Sequence, residues 1–345
     1  MADRINQYDV QQGTEMGWHG KTQVVPEITL ENNWLTKWNI VPVVLEKRGT
    51  PSKWSVLECT DSPELEIGSP YNPETFKPVD NVAFLELVRA SIAGTAHSIV
   101  SVGSVRNRGR VFISLKLNGM ESFEAAGRKF SAFLNLGNGH DKSSVLWANT
   151  SNTCTVCDNT FSMNLFSVEN KASTVSDNGD DIKLRQRHTK NVTMRLPAMA
   201  TLIDKAIGVQ GEFQATFEQM SKAVLTPTTA KSLFAGFIGR KSTNIDEGMS
   251  TRALNTVSRL NGLFATGKGN DGENRADAFS AITDYYTHES SGNSENAMKQ
   301  YLSSEYGAGQ QAKGEFWGIL SDQDNTSFEK TVKRGESLLV HTKGY

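Results

Sequence analysis

Residues His97–Leu117 read HSIVSVGSVRNRGRVFISLKL, and the fold is decided here. Two runs rich in β-branched residues flank Arg106-Asn107-Arg108-Gly109. Asn and Gly between such runs favour a tight turn, so the stretch predicts an antiparallel hairpin. In its second arm Val111, Ile113, Leu115 and Leu117 alternate with Phe112, Ser114 and Lys116. That period of two belongs to a strand with one face in a core. Three arginines, Arg106, Arg108 and Arg110, cluster at the turn.

Further strands are expected downstream at FSAFLNLG (130–137) and SSVLWAN (143–149), with a tight polar turn at NGHDK between them. TCTVC (153–157) reads as a fifth, and Asn159-Thr160 as the opening of a helix running toward Val168. Upstream, Val82, Phe84, Leu85, Val88 and Ile92 recur at helical spacing, with Asp80 or Asn81 as cap and Gly94 as terminator. NIVPVVLEKRGTPSKWSVLEC (39–59) predicts two short strands about a turn at Arg48-Gly49-Thr50-Pro51. The following DSPELEIGSPYNPETFKPVDN (61–81) reads as a connector, because its prolines interrupt both periodicities.

Beyond a polar loop at 169–181, IKLRQRHTKNVTMRL (182–196) alternates. Lys183, Arg185, Arg187 and Arg195 share one parity, and Ile182, Leu184, Val192, Met194 and Leu196 the other. From about Pro197 helical patterns dominate, at about 197–235, 250–266, 275–288 and 294–304. The expected class is α+β, with an antiparallel hairpin-rich sheet in the first half and a helical second half. The expected divisions are a Trp/Pro-rich region at 1–75, a sheet core with flanking helices at 76–196, and a helical region at 197–345.

The chain has 345 residues, 37% hydrophobic and 21% charged. That length suits two domains or one extended core. Thirty-six Lys and Arg against 38 Asp and Glu give a net charge of −2, so any polyanion site must be a local patch. No apolar run approaches the roughly 20 residues needed to span a bilayer. MADRINQYDVQQG lacks the apolar core of a secretory signal. Three cysteines fit a reducing compartment. The expectation is a cytoplasmic protein with no membrane partner.

Two basic segments suggest nucleic-acid binding. A hairpin carrying Arg106, Arg108 and Arg110, with Lys116 further along, can lie on a phosphate backbone, and Phe112 can stack on a base. The competing reading is a solvated turn whose charges keep a sheet edge soluble. Lys183, Arg185, Arg187 and Lys190 would neutralise further phosphates. The competing reading there is a surface segment balanced by the preceding Asp-Asn-Gly-Asp-Asp. Cys154-x-x-Cys157 with His140 and His188 offers zinc-ligand chemistry, but there is no second CxxC, and buried cysteine is the simpler account. His140, Asp141 and Cys157 would be the centre of an enzymatic alternative, against which Asp141 more simply caps a turn. Walker A and HExxH motifs are missing from the sequence, and no GxGxxG opens a helix after a strand, GKGNDGEN near 267–274 reading as a loop. No catalytic residue, metal or cofactor is assigned.

Several separate elements resemble the domain of unknown function 932 family. Gly17-Trp18-His19-Gly20 is similar to its W-H-G, and Phe76-Lys77-Pro78-Val79-Asp80-Asn81 to its Y-K-P-V-x-N. Gly103 to Lys116 resembles its Gly-Ser and Gly-Arg hairpin. His140-Asp141 with Ser143-Ser144 resembles its H-D-G-S turn, Cys157-Asp158-Asn159-Thr160 its C-x-N-T, and Arg187-His188-Thr189 its R-H-T. Weaker echoes lie at Asp284–His288 and Phe316-Trp317. Lys142 stands where the family usually has Gly, which suggests a different turn geometry. Cys154 stands where it usually has Arg.

The resemblance implies a phage or plasmid origin beside genes of single-strand DNA metabolism. By fold analogy it implies kinship with single-strand-annealing proteins. The expected function is single-stranded DNA binding and annealing by a homo-oligomer, in replication or recombination. The alternative is a protein–protein interaction module, favoured by the tryptophan-rich start and near-neutral charge.

Overall fold

The computed structural model describes residues 10–13, 23–25, 27–94, 97–105, 107–117, 123–142, 146–154, 160–163, 185–186, 188, 202–290, 303–304 and 308–342. Strands β1 (Val10–Gly13) and β2 (Gln23–Val25) are followed by a three-stranded antiparallel sheet of β3 (Ile40–Lys47), β4 (Thr50–Cys59) and β5 (Ser62–Tyr71). Helix α1 (Asn81–Ile92) leads into the expected hairpin, β6 (Ser98–Val105) and β7 (Arg110–Lys116). Then come β8 (Phe123–Ala125), β9 (Arg128–Gly139), β10 (Leu146–Cys154), β11 (Thr160–Met163) and β12 (Arg185–Gln186). The helices that follow are α2 (Leu202–Lys222), α3 (Pro227–Ile238), α4 (Thr251–Thr266), α5 (Arg275–Asp284), α6 (Ala308–Leu320) and α7 (Thr326–Val340). A π-helical turn, Tyr285–Glu289, extends α5. The protein is α+β, with antiparallel sheets in the first half and most helices in the second.

The chain packs as two units. The first takes 1–121, 132–151 and 164–209, the second 122–131, 152–163 and 210–345. In the first, the larger sheet runs β10-β9-β7-β6-β1-β2, with β12 on β10. Its core joins Val102, Val111, Ile113, Leu115, Leu134 and Leu136 to Phe84, Leu87 and Val88 of α1 and to Trp38, Ile40, Leu57 and Ile67. Residues on both sides of the expected boundary at 75 therefore share one apolar cluster. The second unit has its own core around Phe213, Phe217, Phe234, Phe264 and Phe316. There Phe130 of β9 meets Phe213 and Phe217 with ring centroids 5.4 and 5.1 Å apart.

Local chemistry explains the boundaries. Asp80 is the α1 cap, its carboxylate accepting from Ala83 N at 2.8 Å. Asn81 instead donates to the Trp38 carbonyl at 2.8 Å, tying the helix start to the chain before β3. The segment expected as a connector contains β5. Its prolines are tolerated because β5 is an edge strand, where a missing N–H leaves no neighbour unpaired. Thr160–Met163 is a strand rather than a helix start, and Thr153-Cys154 ends β10 instead of opening a separate strand. Of the segment expected as a helix at 294–304, only 303–304 is described. No described helix is long and apolar enough to cross a membrane.

Candidate nucleic-acid interface

The β6–β7 turn is Asn107-Arg108, with φ 52° and 64°. In this left-handed turn the Arg108 side chain is held. Its guanidinium pairs with the Asp61 carboxylate and lies 5.2 and 4.8 Å from the ring centroids of Trp34 and Trp38. Trp34 in turn donates its indole N–H to Ser104 Oγ at 3.3 Å. The charge expected to meet phosphate is thus neutralised by its own carboxylate and two aromatic faces. Trp34 and Trp38 are structural partners of that cation.

Strand parity sorts the remaining hairpin residues. Val111, Ile113 and Leu115 face the core; Arg110, Phe112, Ser114 and Lys116 share the other face. The register continues that face across the sheet: Gly103, Phe112 and Gly137 stand opposite one another, as do Ser101, Ser114 and Asn135. Asn135 donates to Ser151 Oγ at 3.0 Å. Arg110 and Lys116 are half-buried. Phe112, expected to stack on a base, is only 3% exposed and presents no open ring. The half-buried aromatic of this face is Trp147, whose ring lies over Gly137 so closely that a Cβ there would overlap it. No periodicity flagged Trp147, because its placement depends on a glycine in the neighbouring strand.

Two residues of the second basic segment, Arg185 and Gln186, join the same sheet. In the β10–β12 ladder Leu146 pairs with Gln186 and Trp147 with Arg185. Arg106, Lys183, Arg187 and Lys190, with Cys157 and the loop before β12, lie outside the described residues.

On the core side the family-like motifs meet. His140 is 1% exposed; its Nδ1 donates to the Arg108 carbonyl at 3.2 Å, and its Nε2 accepts from Asn138 at 3.1 Å. Asn138 also donates to the Val79 carbonyl at 2.7 Å. The His188 carbonyl accepts from Lys77 N at 3.1 Å, and its ring lies 5.3 Å from Phe76. Burial pushes both histidines down to about 4, so both are neutral. Lys142 adopts φ 64°, so the turn keeps a glycine-type backbone despite the lysine, whose ammonium donates to the Pro70 carbonyl at 2.8 Å. Among the described residues no three His, Cys, Asp or Glu side chains are grouped to hold a metal.

The sequence model of the domain of unknown function 932 (DUF932) matches residues 72–306. The chain belongs to that family. No match was found among curated proteins or among solved structures.

Proposed function

We propose that the protein is a non-enzymatic, phage- or plasmid-encoded DNA-binding protein. It holds single-stranded DNA during annealing, in replication or recombination, and acts as a homo-oligomer in the host cytoplasm. The reading rests on Arg110 and Lys116 of β7 and on the segment Lys183, Arg185, Arg187 and Lys190. Arg108, neutralised by Asp61, and the buried Phe112 take no part in it. One observation carries it: the β12 ladder joins Arg185 and Gln186 of the second basic segment to the sheet whose non-core face bears Arg110 and Lys116. Cationic residues far apart in sequence, Arg110 and Lys116 on β7 and Arg185 on β12, within one sheet suit a phosphate backbone better than a compact ligand. Trp147, in register with Arg185, adds an aromatic of the kind on which bases stack.

Fluorescein-labelled oligothymidine, followed by anisotropy over a sodium chloride series, tests this. Affinity should fall steeply with salt, and each phosphate contact removed should lower the log–log slope by about 0.7. Arg110→Gln with Lys116→Gln, or Gln at all four cations of the second segment, should each flatten it. Arg108→Gln should lower the melting temperature and leave the slope unchanged. Salt-independent binding, or none, sinks the reading and favours a protein partner.

A further inference from the structure

The β3–β4 hairpin turns through Arg48-Gly49, with φ 54° and 76°, a two-residue turn whose twist matches the strands. Its base is anchored: Ile40, Leu57 and Cys59 are in the core. Its far end is not. Every residue from Val44 to Trp54 is exposed or half-exposed. Trp54 is 43% exposed, although large aromatics ordinarily bury. Ser52 holds its backbone from both sides, its hydroxyl accepting from Trp54 N at 3.1 Å and donating to Trp54 O at 3.2 Å. The Lys53 ammonium lies 5.7 Å from the indole centroid.

Lys47, Arg48 and Lys53 are exposed, and among the described residues none pairs with a carboxylate. Arg108, by contrast, is neutralised by Asp61. Glu46 is the sole acid between Val44 and Trp54; Glu58 and Glu66 pair across β4 and β5 toward the other end of this sheet. The charge of this arm is therefore net positive on a chain whose total is −2.

The chemistry selects the occupant. The centre of a protein interface is apolar and depleted of charge. Among the described residues the arm's exposed large apolar side chains are Val44 and Trp54 alone, too few to make an apolar patch. An open indole with the Lys53 ammonium beside it, on an arm that also carries exposed Lys47 and Arg48, matches a chain of stacking bases and phosphates.

We propose that the 44–54 arm is a second contact for single-stranded nucleic acid, with a base stacked on Trp54 and backbone phosphates on Lys47, Arg48 and Lys53. This rests on the DNA-binding reading above and adds to it an element that neither basic segment of the sheet contains.

The test uses the full-length chain and the same labelled oligothymidine. Trp54→Ala should weaken binding on the order of tenfold, and Trp54→Phe should keep most of the affinity, since any aromatic face stacks. Replacing Lys47, Arg48 and Lys53 together by Gln should lower the salt slope by about 2. All these side chains are exposed, so the variants should melt with the wild type. If they bind like wild type while the Arg110/Lys116 variant loses affinity, the arm is not a contact and the sheet site stands alone. If wild type binds no oligonucleotide, both readings fall. If Trp54→Ala changes the sedimentation mass but not DNA affinity, the arm is a protein contact and the inference is overturned.

Discussion

Arg108 and His140 show how much a residue's role depends on its neighbours. From sequence, Arg108 is one of three cations at a hairpin tip. In the fold it closes the first unit, joining Asp61, Trp34 and Trp38 to the β6–β7 turn, whose backbone carbonyl also accepts from His140. No pattern within residues 97–117 reveals a carboxylate 47 positions away. The histidines carry a pH prediction. Burial lowers both from 6.5 to about 4. The unfolded chain therefore takes up protons below about pH 6.5 that the folded chain refuses. Their contribution to stability is complete above that pH, is lost as pH falls toward 4, and changes no further below it. The loss by pH 5 should be about 2 kcal/mol for each ring. Melting temperatures measured from pH 7.5 to 5 should fall accordingly, and His140→Asn should flatten part of the slope. A melting temperature constant over that range would contradict neutral burial. His140 was legible as a turn residue; its partnership with Val79 through Asn138, beside His188, was not.

At the scale of elements, local signals served best where one residue's chemistry suffices. The Asp80 cap, the β6–β7 alternation and the Arg48-Gly49 turn all follow from neighbours within a few positions. They failed where pairing decides. Ser62–Tyr71 looks broken by proline, yet an edge strand accepts it. Thr160–Met163 carries a helix-opening signal, yet pairing with β10 makes it a strand. Helix crossings are equally hidden. Gly236 of α3 and Gly335 of α7 meet where a Cβ on either would overlap the other helix's backbone, at Thr331 and Ser232. Gly335→Ala should force the helices apart and cost about 1–3 kcal/mol. Gly262→Ala, in open space within α4, should stabilise by up to about 1 kcal/mol. Urea denaturation of both variants checks the pair of signs; a harmless Gly335→Ala would mean that the crossing is loose.

At the scale of the molecule, the second unit is assembled from three chain segments. Phe123 and Phe130 of its inserted hairpin stack at 5.3 Å and pack on Phe213 and Phe217. Arg128 forms a buried ion pair with Asp277, a fully buried acid that also accepts from Glu273 N. A fragment beginning at Gln210 would lack that hairpin and leave Asp277 unpaired, a loss of about 3–5 kcal/mol before any lost packing. It should show no cooperative thermal transition by circular dichroism, whereas the whole chain should. A fragment melting like the intact protein would show the hairpin to be dispensable. By itself the sequence determined the α+β class, the central hairpin, the α1 cap and membership in a family. Each of these is written in periodicity, caps and short motifs, whose physics acts over a few residues. Only the tertiary structure decided that Arg108 is neutralised, that Phe112 is closed, that Trp147 rests on Gly137, and that Lys47, Arg48 and Lys53 are exposed with no carboxylate partner among the described residues. Whether a charge is matched or a ring is open depends on groups brought together from remote parts of the chain, and burial is a property of the packed whole.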